Sequence, residues 1–224
     1  MSASSEDCGW TSPWRLIGEE KSRAAFRIED AGAGTGGNAL EMGAPGALER
    51  DFPPVVDGTL RIELRVRLEK TGIDITDAET SVLKVYAGDA VDNWACRWHY
   101  PFAWPEVGGN VFPRFYVIDS LGTRRKGLEP TPFEALPDRW YETEAVLHMA
   151  TKTWEFRVDG VSFDAPEQLG HEMVWWQSSN RPQLSKVRLN NASKGKNWID
   201  YIAIWHGDEL LARSNFGGDA DITY

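Results

Sequence analysis

The sequence predicts an all-β sandwich or barrel, and three observations carry that prediction. Apolar residues recur at every second position in run after run, the period of a strand with one dry face. Turn chemistry separates the runs, with 21 Gly among 224 residues and Asp-Gly pairs at 57–58 and 159–160, both favoured at tight reversals. No run carries the apolar period of a long helix; the short segments 47–49 and 164–170 suggest at most a helical turn.

The strand at 58–70, GTLRIELRVRLEK, has the clearest alternation: Leu60, Ile62, Leu64, Val66 and Leu68 against Arg61, Glu63, Arg65, Arg67 and Glu69. One face is dry and the other wet. The same pattern marks 24–30, 38–43, 81–88, 110–119, 139–149, 153–164, 183–191 and 197–206 as strands, and NWACRWHY from 93 to 100 as another. Turns are expected at 121–123 and 193–196. In the aromatic strand, parity sets Trp94, Cys96, Trp98 and Tyr100 on one face, with the first three expected in the core, and Arg97 and His99 on the other. Gly32, Gly34 and Gly37 match G-x-G-x-x-G, but the residues that follow read as a strand. A dinucleotide site needs a helix N-terminus there, so these glycines are expected in a hairpin.

With 42% hydrophobic and 26% charged residues the chain can bury one substantial core. A single domain is expected, with an N-terminal segment 1–22 packed on a sandwich of 23–210 and a tail at 211–224. The net charge of -10 argues against nucleic acid as a partner. No apolar run approaches the roughly 20 residues of a membrane helix, so no membrane partner is expected. The opening MSASSEDCGW lacks a signal-like apolar stretch. The expectation is therefore extracellular or periplasmic if a signal has been removed, and cytoplasmic otherwise. Cys8 and Cys96 form no C-x-x-C; one disulfide and two free thiols both remain open.

The run DRWYETEAVLHMATKTWEFRVDGVSF and the later LSKVRLNNASKGKNWIDYIAIWHG resemble the second half of concanavalin A-like lectin/glucanase jelly rolls, in particular their laminin-G-like branch. The resemblance rests on Trp140 and Tyr141, on the turn at Asp159 and Gly160, and on Ile199, Asp200, Tyr201 and Ile202. It implies two antiparallel sheets with a sugar cleft on a concave face, and hence a polysaccharide or oligosaccharide partner. It also implies structural calcium between early and late strands, for which Glu29, Asp30 and Asp200 supply hard oxygen ligands. No organic cofactor is expected.

Three chemistries fit such a cleft. A polysaccharide lyase needs a cation to neutralise a uronate carboxylate, a base and an acid, and Arg97, His99, Arg114 and Tyr116 supply those types. A glycoside hydrolase needs two carboxylates; Glu142 and Glu144 are the nearest pair, though a solvated strand face explains them as well. A binding module needs aromatic rings and planar donors. Arg65, Lys84, Tyr86, Tyr100, Trp104, Trp176, Gln177 and Arg188 are the candidates for holding substrate. Lyase-type elimination is favoured slightly over hydrolysis, with a non-catalytic lectin-like domain or a laminin-G-like interaction domain as the alternative.

Overall fold

The computed structural model describes residues 8–17, 26–33, 37–43, 46–68, 83–89, 94–102, 114–119, 127–134, 136, 138–162, 172–175, 182–191, 196–216 and 222–223. Among them the elements are all strands: β1 Trp14–Ile17, β2 Phe26–Ala33, β3 Gly37–Met42, β4 Gly46–Val55, β5 Thr59–Leu68, β6 Leu83–Gly88, β7 Trp94–Phe102, β8 Arg114–Asp119, β9 Gly127–Glu134, β10 Trp140–His148, β11 Thr153–Val158, β12 Val161–Ser162, β13 Met173–Val174, β14 Leu184–Asn191, β15 Asn197–His206, β16 Glu209–Ser214 and β17 Ile222–Thr223. They form two sheets. One has eight strands in the order β17-β1-β4-β14-β6-β7-β8-β9; the other has nine, β12-β11-β10-β5-β15-β3-β2, with β13 beside β11 and β16 beside β15. Every strand pair is antiparallel except β1 with β17.

The alternation places the core. Leu60, Ile62, Leu64 and Val66 of β5 are fully buried, while Arg61, Glu63, Arg65 and Arg67 are partly exposed. Trp98 of the eight-stranded sheet meets Trp154 and Phe156 of the nine-stranded sheet at centroid distances of 6.3 and 5.8 Å. Phe115 meets Tyr141 edge-on at 5.2 Å. Rings of both sheets thus interdigitate in one dry layer.

The glycine-rich match is a hairpin. Ala33 pairs with Gly37, and β2 runs antiparallel to β3. Strand β3 begins at Gly37, so among the described residues the segment that follows the match is a strand and not the helix that a phosphate site needs. At Asp159 and Gly160, φ values of 49° and 77° make the mirror-image turn that a two-residue hairpin between β11 and β12 requires.

Two expectations are corrected and one strand was missed. Segment 47–49 is the start of β4 and makes no helical turn; segment 164–170 lies outside the described residues. Strand β4 itself was hidden by Pro53 and Pro54, which a central strand cannot tolerate in its ladder. Its pairing with β14 breaks between Leu184 and Lys186, and the prolines sit opposite that irregularity. In β9, Pro130 and Pro132 are tolerated because the strand is at the sheet edge. Finally, Trp94 leaves the face of Cys96 and Trp98. Gly88 pairs with Trp94 but Ala87 pairs with Cys96, so Ala95 is the extra residue of a bulge that reverses parity. Ala95, Cys96 and Trp98 join the core, while Trp94 is buried beneath the Arg188 guanidinium, 4.4 Å from its ring centroid.

Beyond the expected core segment, the sandwich recruits both flanking stretches. Strand β1 pairs with β4 and β17, and β16 turns back on β15 through Gly207.

Candidate functional site

Register in the eight-stranded sheet brings six of the twelve sequence-predicted catalytic and substrate-binding residues onto adjoining strands. Arg188 stands opposite Glu49 on one side and Tyr86 on the other, and Tyr86 stands opposite Arg97. Two residues along, Asn190 is opposite Lys84, Lys84 opposite His99, and His99 opposite Tyr116. Neighbouring strands lie about 4.8 Å apart and the two rows about 7 Å apart, so six candidates fall within one small patch of sheet. Tyr100 pairs with Leu83, and Arg114 with Phe102 beyond an irregularity in the ladder. The side chains of Lys84, Tyr86, His99, Tyr100, Arg114 and Tyr116 lie outside the described residues, as do Trp104, Trp176 and Gln177 entirely.

Glu49 supports this patch. Its carboxylate is buried, accepts from Arg188 through one oxygen, and has Lys186 Nζ 3.4 Å from the other. An isolated carboxylate at that depth would cost several kcal/mol, which the two cations offset. Arg188 in turn lies over Trp94, a cation–π contact that restrains the guanidinium. The sequence left Glu49 and Lys186 unassigned because their meeting depends on the pairing of strands 137 residues apart.

Arg65 goes elsewhere. It belongs to β5 of the nine-stranded sheet, where Nη1 donates to Asp200 at 2.6 Å and Nε lies 3.3 Å from Glu142. Asp200 is fully buried at a bulge in β15. Of the residues expected to hold calcium, Asp200 is therefore engaged by a guanidinium, and the side chains of Glu29 and Asp30 lie outside the described residues. Register does bring the segments together, since Ile28, Leu40 and Ile199 are successive neighbours across β2, β3 and β15. Among the described residues no three His, Cys, Asp or Glu side chains gather as a metal set.

The outer face of the nine-stranded sheet carries a cavity of about 330 Å³ bordered by Glu63, Glu142, Glu144, Arg157, Gly160 and Tyr201. Glu63 and Glu144 stand directly opposite each other, a repulsive placement unless compensated. Arg61 compensates it: Nε lies 3.2 Å from Glu63 and 3.8 Å from Glu144. Arg157 donates to Glu144 at 2.6 Å and to Glu155 at 3.0 Å, and Trp205 Nε1 donates to Glu63 at 2.9 Å. The Tyr201 hydroxyl donates to Glu142. Burial, then that hydrogen bond and the charges of Glu142 and Glu63, push the Tyr201 phenol well above its ordinary range, against a smaller pull from Arg213. The pair Glu142 and Glu144 thus belongs to an ion-paired network, and only the wet parity of β5 and β10 announced it.

Neither protein-family models nor curated proteins match the sequence. Solved structures do. The chain is similar at 12% identity, with a TM-score of 0.55, to a sialidase, over 87% of this chain and 17% of that one, so the likeness spans a small part of the sialidase. It is similar to the T. cruzi calreticulin globular domain at 14% identity and a TM-score of 0.50, over 90% and 87% of the two chains. The VIP36 exoplasmic/lumenal domain, a Ca2+/Man-bound form, matches at 10% identity and a TM-score of 0.49, over 87% and 82%. At such identities the likeness is one of fold, and with the two sheets above it shows an antiparallel two-sheet β-sandwich of jelly-roll type.

Proposed function

We propose that the protein binds a polysaccharide or oligosaccharide on the outer face of the eight-stranded sheet, with acidic sugars preferred. The observation that carries this is the register row Arg188, Tyr86, Arg97 beside the row Lys84, His99, Tyr116. Guanidinium groups meet carboxylates in two parallel hydrogen bonds, and aromatic rings take the apolar faces of sugars. Arg188, paired with Glu49 on the neighbouring strand and lying over the Trp94 ring, is the group we assign to a uronate or sialate carboxylate. A neighbour named sialidase is in keeping with this reading. So are a location where glycans are met, outside the cytosol, and treatment of 1–22, 23–210 and 211–224 as parts of one domain. Calcium at Glu29, Asp30 and Asp200 belongs to the same reading, and would have to displace Arg65 from Asp200.

The test is calorimetric titration with alginate, polyglucuronate and pectate oligomers against neutral glycans. Binding of an acidic oligomer that falls about tenfold or more in Arg188→Ala and Arg97→Ala supports the assignment. Undiminished affinity in both variants, or no binding of any acidic oligomer, overturns it.

A second reading is favoured by one observation, the direct pairing of His99 with Tyr116 beside Arg97. In β-elimination a base takes the proton α to the uronate carboxylate. Its electron pair forms the new double bond as the glycosidic oxygen departs and takes a proton from an acid. Histidine and tyrosine are the residue types for those two roles, and an arginine stabilises the charge that gathers on the carboxylate between the steps. An ultraviolet-absorbing unsaturated product, lost in His99→Ala and Tyr116→Phe, would establish catalysis. Binding without that product leaves the lectin-like reading in place.

A further inference from the structure

The cavity on the nine-stranded sheet lies on the opposite side of the sandwich from the patch just described. From its chemistry we infer that it is a second ligand site, for a neutral sugar of one or two rings, and it does not rest on the reading above.

The composition of the cavity narrows the ligand. Glu63, Glu142 and Glu144 face three guanidiniums, Arg61, Arg65 and Arg157, of which Arg65 and Arg157 also serve Asp200 and Glu155. Five carboxylates thus share three guanidiniums, which disfavours an anion, while a cation would meet guanidiniums already seated on the carboxylates of the cavity border. Each of the carboxylate oxygens has a donor or cation among the described contacts: Arg61 and Trp205 on Glu63, Arg65 and Tyr201 on Glu142, Arg157 and Arg61 on Glu144. A carboxylate oxygen has two lone pairs, so acceptor capacity remains on all three residues. The groups best suited to it are hydroxyls, which donate to carboxylates and accept from the adjacent guanidiniums at once.

Shape agrees with that chemistry. The cavity, at about 330 Å³, sits at the small end of ligand pockets, about 300–1,000 Å³, which suits one or two pyranose rings. The groups that line it are also held in place. Glu63 and Glu142 are tied to Trp205 and Tyr201 of β15, and Glu144 to Arg157 of β11, so little side-chain freedom is left to lose on binding. With sites on both faces, one sandwich would hold two glycan chains together.

The experiment is isothermal titration of the full chain with a panel of neutral disaccharides: cellobiose, maltose, lactose, xylobiose and mannobiose. The indole N–H resonance of Trp205 is followed in parallel. We expect saturable binding of at least one disaccharide, accompanied by a shift of that resonance. Glu142→Gln should weaken it about tenfold, the loss of charge-assisted hydrogen bonds, and Arg188→Ala on the other face should leave it unchanged. Tyr201→Phe, which keeps the ring, is the second variant, and near-ultraviolet circular dichroism verifies that each variant is folded. The inference is overturned if no neutral disaccharide binds, if putrescine binds in their place, or if binding follows Arg188→Ala and ignores Glu142→Gln. Because acidic oligomers and Arg188 test the other face, failure of one site is distinguishable from failure of the other.

Discussion

Arg65 and Asp200 form a 2.6 Å ion pair between the central strand β5 and the bulge of β15, with the aspartate side chain wholly buried and the arginine one-fifth exposed. The guanidinium also reaches Glu142 at 3.3 Å and lies 5.1 Å from the Trp140 ring centroid. The two partners are therefore not equivalent, because removing one strands a buried charge and removing the other does not.

Arg65→Ala should cost about 3–5 kcal/mol, the penalty for leaving a buried carboxylate without its cation. Asp200→Asn should cost less, about 1–2 kcal/mol, since Arg65 keeps Glu142 and an amide oxygen can still accept. Equilibrium urea denaturation of the two variants measures the difference; equal losses would contradict the asymmetry.

Trp98→Ala removes the ring that meets Trp154 and Phe156 across the sandwich. A loss of about 3–5 kcal/mol is expected from the cavity left behind, read from the denaturation midpoint at unchanged slope.

Alkaline pH should weaken the fold through Tyr201. Its phenol is held above the ordinary value of 10.0 by burial and by the hydrogen bond to Glu142. A raised folded-state value means that the unfolded chain loses its proton first. The contribution is complete below pH about 10 and declines as pH rises beyond it. Thermal melts across that range should fall more steeply for the native protein than for Tyr201→Phe.

Cysteine chemistry should separate the two thiols. Both are free, Cys8 exposed and Cys96 buried, and burial pushes the Cys96 thiol far up, only partly offset by a backbone hydrogen bond from Ala87. Since the thiolate is the reactive form, a thiol reagent should modify Cys8 alone in the native protein and Cys96 only after denaturation. Mass spectrometry of the labelled protein checks it.

Gly9 has a φ of +74°, and a Cβ there would stand 1.7 Å from the Leu211 carbonyl oxygen. Gly9→Ala should therefore break the bridge in which Cys8 and Arg213 exchange backbone hydrogen bonds of 3.0 Å, at about 2 kcal/mol or more. Faster hydrogen exchange at the Arg213 amide is the direct readout.

Strands with strict alternation, β5 and β11, were legible because one face is dry and their polar residues fall on the other, and β15 was legible as a strand although a bulge between Ile199 and Tyr201 breaks its parity. Strand β4 was not, since its prolines contradict a central strand until the irregularity opposite them is known. Parity also failed at Trp94, where a bulge inserts Ala95. Which residue types each strand of the eight-stranded sheet carries was legible. That Glu49 pairs with Arg188, or that Glu63 faces Glu144, was not. Such pairs are decided by which strands become neighbours, and no local pattern encodes that choice.

The pairing of Trp14 with Ile222 has a consequence for assembly of the fold. A contact spanning that much of the sequence forms only after a very long loop has closed, so β1 and β17 are expected to dock last, onto an edge already laid down by β4. It also brings residues 14 and 222 side by side in space.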